Sequence, residues 1–281
     1  MGATSASTGE TPFIPRNNSR VQYIKDFCAL VAENQLEGIL TTAWDDGSAH
    51  LETVMRGFIA QGEYGWHPGG RTIEDFITAH ARREFGLQRK QMDFLAEMEK
   101  AAFFFDGALV VSGSRNPAWG VTEAFTLIEL PDAGAPGKWS KKYENRLDSA
   151  RIEAARYERI TKGDGFCNRY TLDIYEQTGR LLNYPVRLLM ALENYDKANG
   201  EDERAASLRQ IKKVCSYFKE MRAGLESVYS QTRFMSNPEG YIADQNHHRH
   251  LAAMTNNSDW LYLYELPMVE KIESWMKTLD E

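Results

Sequence analysis

One stretch of this chain predicts a buried strand: Gly38-Ile39-Leu40-Thr41-Thr42-Ala43-Trp44-Asp45-Asp46. It is short, apolar and rich in β-branched residues, and it has no helical period. The strand is expected over residues 37–44, because the polar run Asp45-Asp46-Gly47-Ser48 follows. Two carboxylates therefore come directly after the C-terminal end of the strand.

Amphipathic helices are predicted on both sides of this strand. Ser19 and Gln22 match a capping box, and apolar residues then recur at helical spacing, at Val21, Ile24, Phe27, Cys28 and Val31. Ser48 is expected to cap a second helix, whose predicted apolar face is Leu51, Val54, Met55, Phe58 and Ile59. Residues 2–11 are small and polar and predict a loop. The order helix, strand, helix is typical of α/β architecture, although one strand cannot form a sheet.

The rest of the chain predicts few strands. Thr72 is expected to cap a helix that ends near Phe85, and a helix over residues 88–105 follows. Residues 108–112 are a candidate short strand. Proline and glycine mark a loop-rich connector over residues 113–140, which is a candidate sub-boundary between domains.

Long helices dominate the back half. They are predicted over residues 140–162, 167–198, 202–230 and 259–279, with Pro185 as a kink or a break. The predicted fold class is therefore mainly α. An α/β segment over residues 1–70 is followed by an all-α helical domain over residues 71–281.

Composition limits the partners to be expected. The 281 residues carry 33 Lys and Arg against 40 Asp and Glu, for a net charge of -7. No block is dense in Lys or Arg, so nucleic acid is not an expected partner. No stretch reaches the roughly 18 to 20 apolar residues that a membrane span needs. Three widely spaced cysteines, Cys28, Cys167 and Cys215, predict core residues rather than disulfides or zinc ligands, and no metal or cofactor is predicted.

Trp44, Asp45 and Asp46 are the candidate binding residues. Barrel enzymes collect their functional groups at the C-terminal ends of the strands. An indole can stack on a pyranose ring, while carboxylates accept hydrogen bonds from its hydroxyls. In the alternative interpretation Trp44 is a core residue and the aspartates cap the next helix, where acidic side chains offset the helix dipole.

Two further groups of residues are expected to be structural. His247-His248-Arg249-His250, near Asp244 and Glu265, has metal-ligand residue types, but a solvated segment is favoured because only His247 and His250 have helical ligand spacing. The aromatic residues Trp260, Tyr262, Tyr264 and Trp275 form either a carbohydrate-binding face or a packed helix. Core packing is favoured for them.

The run from Gly38 to Asp46 resembles the last strand of the barrel of the β-N-acetylhexosaminidases, glycoside hydrolase family 20. Residues of the family's last helix are matched by Glu52, Phe58, Glu63, Tyr64 and Trp66. The resemblance covers about residues 1–67, and the helical remainder matches only in general character and over residues 241–260. It implies that residues 1–70 are the C-terminal end of a (β/α)8 TIM barrel with its last strand and flanking helices.

The resemblance also implies residue roles and partners. Trp44 would wall the pocket for a terminal N-acetylhexosamine of a glycan, and Asp46 would bind hydroxyls where the family's usual residue is Glu. Asp45 would hydrogen-bond within the loop. The remainder of the barrel would be supplied by an upstream segment, and export from a bacterium is implied, whereas the compartment is not otherwise indicated.

No catalytic residue is expected in this chain. The family uses an Asp-Glu pair after an earlier strand, together with the substrate's acetamido oxygen. Here Asp-Glu occurs at Asp202-Glu203 and at Asp280-Glu281, neither after an apolar strand. The chain alone is therefore expected to be inactive. The alternative is a noncatalytic helical module that binds a glycan or a protein.

Overall fold

The computed structural model describes residues 2–6, 14, 18–43, 51–113, 115, 124–158, 165–236 and 258–279. These residues are mainly helical, as predicted. Their strands are β1 Gly2–Ser5, β2 Ile39–Thr42, β3 Val110–Ser112 and β4 Thr126–Leu127. Their helices are α1 Arg20–Glu33, α2 Leu51–Trp66, α3 Ile73–Phe85, α4 Phe94–Gly107, α5 Lys138–Lys142, α6 Glu144–Tyr157, α7 Arg169–Asp196, α8 Glu201–Tyr229 and α9 Glu265–Leu279.

The chain divides into two compact units. The first contains Met1–Lys100 and Arg159–Thr178, and the second contains Ala101–Glu158 and Gly179–Glu281. Each unit is a group of residues in mutual contact, whereas the predicted boundary at residue 70 concerns the end of a barrel. That boundary stays a prediction.

A parallel pair of strands organises the first unit. β1 pairs with β2 from Gly2 opposite Ile39 to Ser5 opposite Thr42, and α1 is the connection between them. The loop predicted over residues 2–11 is therefore wrong for β1. The small residues of β1 fit a close helix contact, because a Cβ atom on Gly2 would lie 2.7 Å from Val31 of α1.

One face of this sheet is covered by helices. Its core cluster joins three helices, with Val21, Ile24 and Cys28 from α1, Ala60 and Tyr64 from α2, and Phe76 from α3. Ile39 of β2 packs against the same cluster. Alternate residues of a strand point to opposite faces. Leu40 is 52% exposed, and Ala3, its partner in β1, is exposed as well. The sheet face opposite the helices is therefore bare within the described residues.

Helix α2 buries only part of the face predicted for it, since Val54 is buried and Ile59 packs against the core cluster. Leu51 and Met55 are 52% and 48% exposed, whereas Arg56 and Gly57 are buried. The reason is a close backbone contact: a Cβ atom on Gly57 would lie 2.2 Å from the carbonyl oxygen of Ala6. This contact sets the rotation of α2 against the end of β1.

The other predicted elements are largely confirmed. Thr72 caps α3, its side chain accepting from the Asp75 backbone N–H at 3.1 Å. The helix predicted over residues 88–105 is divided into the 3-10 turn Arg89–Met92 and α4. The strand predicted over residues 108–112 is β3, which pairs antiparallel with β4. Pro185 lies inside the continuous helix α7.

The second unit has an aromatic core of its own. Tyr184, Phe218 and Tyr262 lie in a chain of ring contacts with centroid distances of 5.1 and 5.5 Å. Tyr262 and Tyr264 are fully buried, which confirms the core interpretation for these two residues. The side chain of Trp260 lies outside the described residues.

A buried arginine ties several segments of the second unit together. The guanidinium of Arg115 lies 4.2 and 4.5 Å from the ring centroids of Phe105 and Tyr264, and it forms an ion pair with the buried Glu265. Charge pairing of this kind is needed wherever a carboxylate is withdrawn from water. Glu265 therefore has a structural role.

We expect Gly57→Ala to destabilise the protein and Gly62→Ala, on the same helix, to leave it intact. The first Cβ would press on the Ala6 backbone, whereas the second would meet nothing within 4 Å. Overpacking of this kind costs about 1–3 kcal/mol, and replacing an exposed helical Gly by Ala stabilises by about 0.5–1 kcal/mol. Urea unfolding of the two variants measures both effects. Equal free energies of unfolding would contradict the close contact.

Candidate functional site

The candidate site lies where the parallel strands end. Because β1 and β2 are parallel, Ser5 and Thr42 end at the same edge of the sheet. The hydrogen bond from the Ala6 N–H to the Thr42 carbonyl, at 2.8 Å, continues the pairing to this edge. Trp44, Asp45 and Asp46 follow in sequence but lie outside the described residues, so the roles predicted for them stay predictions.

Both helices that follow these strands begin at the same edge. The contact between Gly57 and Ala6 places the second turn of α2 against the end of β1. Next to it, Arg56 is only 2% exposed. Its Nη1 donates to Oδ1 of Asn18 at 3.1 Å, and its Nε has no hydrogen-bond partner among the residues described. Burial lowers the pKa of this guanidinium.

Glu99 of α4 accepts hydrogen bonds from the polar groups at the start of α1. Its Oε2 accepts from the Asn18 backbone N–H at 2.7 Å and from the Ser19 N–H at 3.2 Å, and its Oε1 accepts from the Ser19 hydroxyl. The capping box predicted for Ser19 is therefore wrong: its side chain does not cap α1. A carboxylate close to a helix N-terminus is stabilised by the helix dipole, so Glu99 fulfils that role from another helix.

Arg56, Asn18 and Glu99 together form what we call the edge cluster. It joins the start of α1, the second turn of α2 and the helix α4 by hydrogen bonds and by the attraction between Glu99 and Arg56. None of these three residues was a candidate site residue in the sequence. A single arginine in a helix predicts a solvated side chain, so no local pattern identified Arg56.

A buried histidine lies near the edge cluster. The ring of His80 packs between Phe76 and Phe85, with centroid distances of 6.0 and 5.6 Å. Its Nδ1 has no hydrogen-bond partner within the described part of the chain. Burial, together with the charge of Arg56, lowers the pKa of His80 to about 3.

The residues with metal-ligand side chains that were expected to be structural are placed as follows. The segment from Asp244 to His250 lies outside the described residues. Glu265 forms an ion pair with Arg115. His67, just after α2, is exposed. No group of three or more His, Cys, Asp or Glu side chains in the described ranges could hold a metal ion. No helix among the residues described is both long and apolar enough to cross a bilayer.

Two of the three cysteines are core residues, as predicted. Cys28 and Cys215 are buried, and burial raises the pKa of both thiols, to about 11 for Cys215. The prediction is wrong for Cys167, which is exposed. Cys167 lies in the bend before α7, where no helix face turns it toward a core.

Comparisons with protein-family models, with curated proteins and with solved structures found no match to this chain. The function must therefore be argued from the residues and from the geometry at the edge of the sheet.

We expect His80 to make stability depend on pH. The unfolded chain protonates this histidine below about pH 6.5, whereas the folded chain does so only near pH 3. The contribution of neutral His80 to the free energy of unfolding is therefore complete above pH 6.5. It is lost as the pH falls toward 3, at about 1.4 kcal/mol per pH unit. His80→Phe should remove this part of the slope, and His67→Phe, an exposed control, should not. Parallel stability curves for the wild type and His80→Phe between about pH 6 and pH 4 would contradict the assignment.

Proposed function

We propose that this chain is the C-terminal portion of an exo-acting glycoside hydrolase. The enzyme would remove terminal β-linked N-acetylhexosamine from glycans by substrate-assisted, retaining hydrolysis. In this proposal residues 1–70 are the end of a (β/α)8 barrel, and residues 71–281 are a helical C-terminal domain. The observation that carries the proposal is the parallel unit β1–α1–β2–α2, with Trp44-Asp45-Asp46 following its second strand.

The order of elements supports a barrel. A TIM barrel consists of repeated strand and helix pairs, with all strands parallel and all helices on the outer face. β1, α1, β2 and α2 have this order, and the core of the unit lies between the helices and one face of the sheet.

The exposed face of the β1–β2 sheet also supports the proposed barrel. Parallel sheets are normally covered on both faces. Ala3 and Leu40, which lie opposite each other in the two strands, are nevertheless exposed. In a barrel that face is the interior, where side chains from the other strands would cover Leu40. No third strand pairs with β1 or β2 in the described ranges, so the outer edges of the pair are open to further strands.

The proposed sugar contacts come from the loop after β2. The indole of Trp44 would form one wall of the pocket for the terminal sugar, and the carboxylate of Asp46 would accept hydrogen bonds from its hydroxyls. Asp46 is one methylene shorter than the glutamate usual in the family. The edge cluster would hold the starts of α1 and α2, and thereby the ends of both loops, in fixed positions.

The catalytic groups would come from elsewhere in the enzyme. Asp202 and Glu203 lie exposed in the first turn of α8, far in sequence from any parallel strand, and Asp280-Glu281 lies outside the described residues. In the proposed reaction an aspartate orients the substrate's acetamido group and a glutamate is the general acid, and this chain offers no such pair after β1 or β2.

One observation favours the alternative of a noncatalytic helical module that binds a glycan or a protein. Among the described residues, the second unit has an extensive buried core to which no parallel sheet contributes. Such a unit does not need a barrel in order to bury its apolar residues. The two proposals differ in whether Trp44 affects sugar hydrolysis.

We expect Trp44→Ala to impair hydrolysis in the full polypeptide that contains this chain. Loss of the pocket wall should misplace the terminal sugar and reduce kcat/KM on 4-nitrophenyl N-acetyl-β-glucosaminide about a hundredfold. Trp66→Ala is the matched control, since Trp66 is 92% exposed at the end of α2. Near-normal turnover by Trp44→Ala would remove this residue from the pocket. Turnover by this chain alone would contradict the proposal that the catalytic Asp-Glu pair lies elsewhere in the enzyme.

A further inference from the structure

A groove in the second unit lies between α8 and α9. It has a volume of about 450 Å³, within the range of roughly 300–1,000 Å³ that is usual for ligand sites. Its charged lining comes mainly from cations: Arg209, Lys212 and Lys219 of α8 and Lys277 of α9. The groove is therefore a basic feature of a protein whose net charge is -7.

Most of this positive charge is uncompensated. The one carboxylate in the lining, Glu273, pairs with Lys219 at 2.7 Å. Arg209, Lys212 and Lys277 have no acidic partner within the described part of the chain. Exposed cations without partners keep their full attraction for an incoming anion, and low salt strengthens that attraction.

The cations of α8 form a row. Arg209, Lys212 and Lys219 are separated by three and seven residues, which places them on one face of the helix. At about 1.5 Å of rise per residue the row is about 15 Å long. An extended peptide of about four or five residues, at about 3.3 Å each, spans the same length.

The floor of the groove is formed by apolar, non-aromatic side chains. Leu208, Cys215 and Met276 contribute it, and the buried thiol of Cys215, whose pKa is raised to about 11, stays uncharged. None of the described residues that line the groove is aromatic. Neutral sugars and single-stranded nucleic acids are normally bound on aromatic rings, so this lining disfavours both. Flexible methionine is typical of peptide-binding surfaces.

We propose that this groove binds an acidic peptide segment of a partner protein. Carboxylates of the peptide pair with Arg209, Lys212 and Lys277, and its apolar side chains lie on Leu208 and Met276. This interaction is separate from the proposed sugar site, because it uses different residues and a different ligand chemistry.

Fluorescence anisotropy with the intact chain tests the proposal. The probe is a short fluorescein-labelled peptide of repeating Glu-Glu-Leu, and the comparison peptide has Gln in place of each Glu. The acidic peptide should bind at low salt and weaken as salt is added, because charge pairs carry the interaction. The Gln peptide should bind at least about tenfold more weakly.

Two neighbouring lysines provide a matched pair of variants. Lys212→Glu should weaken binding of the acidic peptide about tenfold. Lys213→Glu makes the same charge change one residue further along α8, outside the groove lining, and should change the affinity by less than about twofold. Both side chains are exposed, and circular dichroism verifies that both variants are folded.

Three outcomes would overturn the proposal. The first is equal loss of binding in Lys212→Glu and Lys213→Glu, which would mean general attraction to a charged surface. The second is equal affinity for the Glu and Gln peptides. The third is absence of peptide binding, including the case in which heparin binds the groove instead.

Discussion

The parallel pairing of β1 with β2 is the constraint on which the first unit depends. Antiparallel strands can be joined by a tight turn, but parallel strands need a long crossover, and here that crossover is α1. Both α1 and α2 must then lie against the sheet, and the absence of side chains at Gly2 and Gly57 permits these contacts. The same pairing brings the ends of β1 and β2 to one edge.

Polar contacts at that edge hold together segments that are distant in sequence. Asn18 bonds both Arg56 and Glu99, which lie 38 and 81 residues away. Burying a guanidinium is costly unless hydrogen bonds and nearby charges offset the loss of water. These contacts connect the starts of α1 and α2, and this suits the proposal that the loop after β2 carries the sugar-binding residues.

Patterns between residues close in sequence were sufficient to predict part of this structure. The β-branched run of β2, the apolar period of α1 and the cap at Thr72 were all recognised, because each depends on neighbours in sequence. β1 was missed because only Thr4 of its four small residues favours a strand, and its pairing partner β2 lies far along the chain. The cap of α1 and the rotation of α2 were missed because Glu99 and Ala6 act across long sequence separations. Trp44 and Asp46 were proposed from residue type and resemblance, whereas Arg56 and the groove needed the fold.

The central claim is that the β1–β2 pair is part of a larger parallel sheet, and hydrogen exchange in this chain by itself tests it directly. In the part of the chain that the structure describes, one face of this pair is bare and its outer edges are open. The amides of Ile39–Thr42 should therefore exchange much faster than the buried centre of α8 around Val214 and Cys215. Protection of Ile39–Thr42 equal to that of α8 would mean that the two strands are stable without further strands, and would contradict the account.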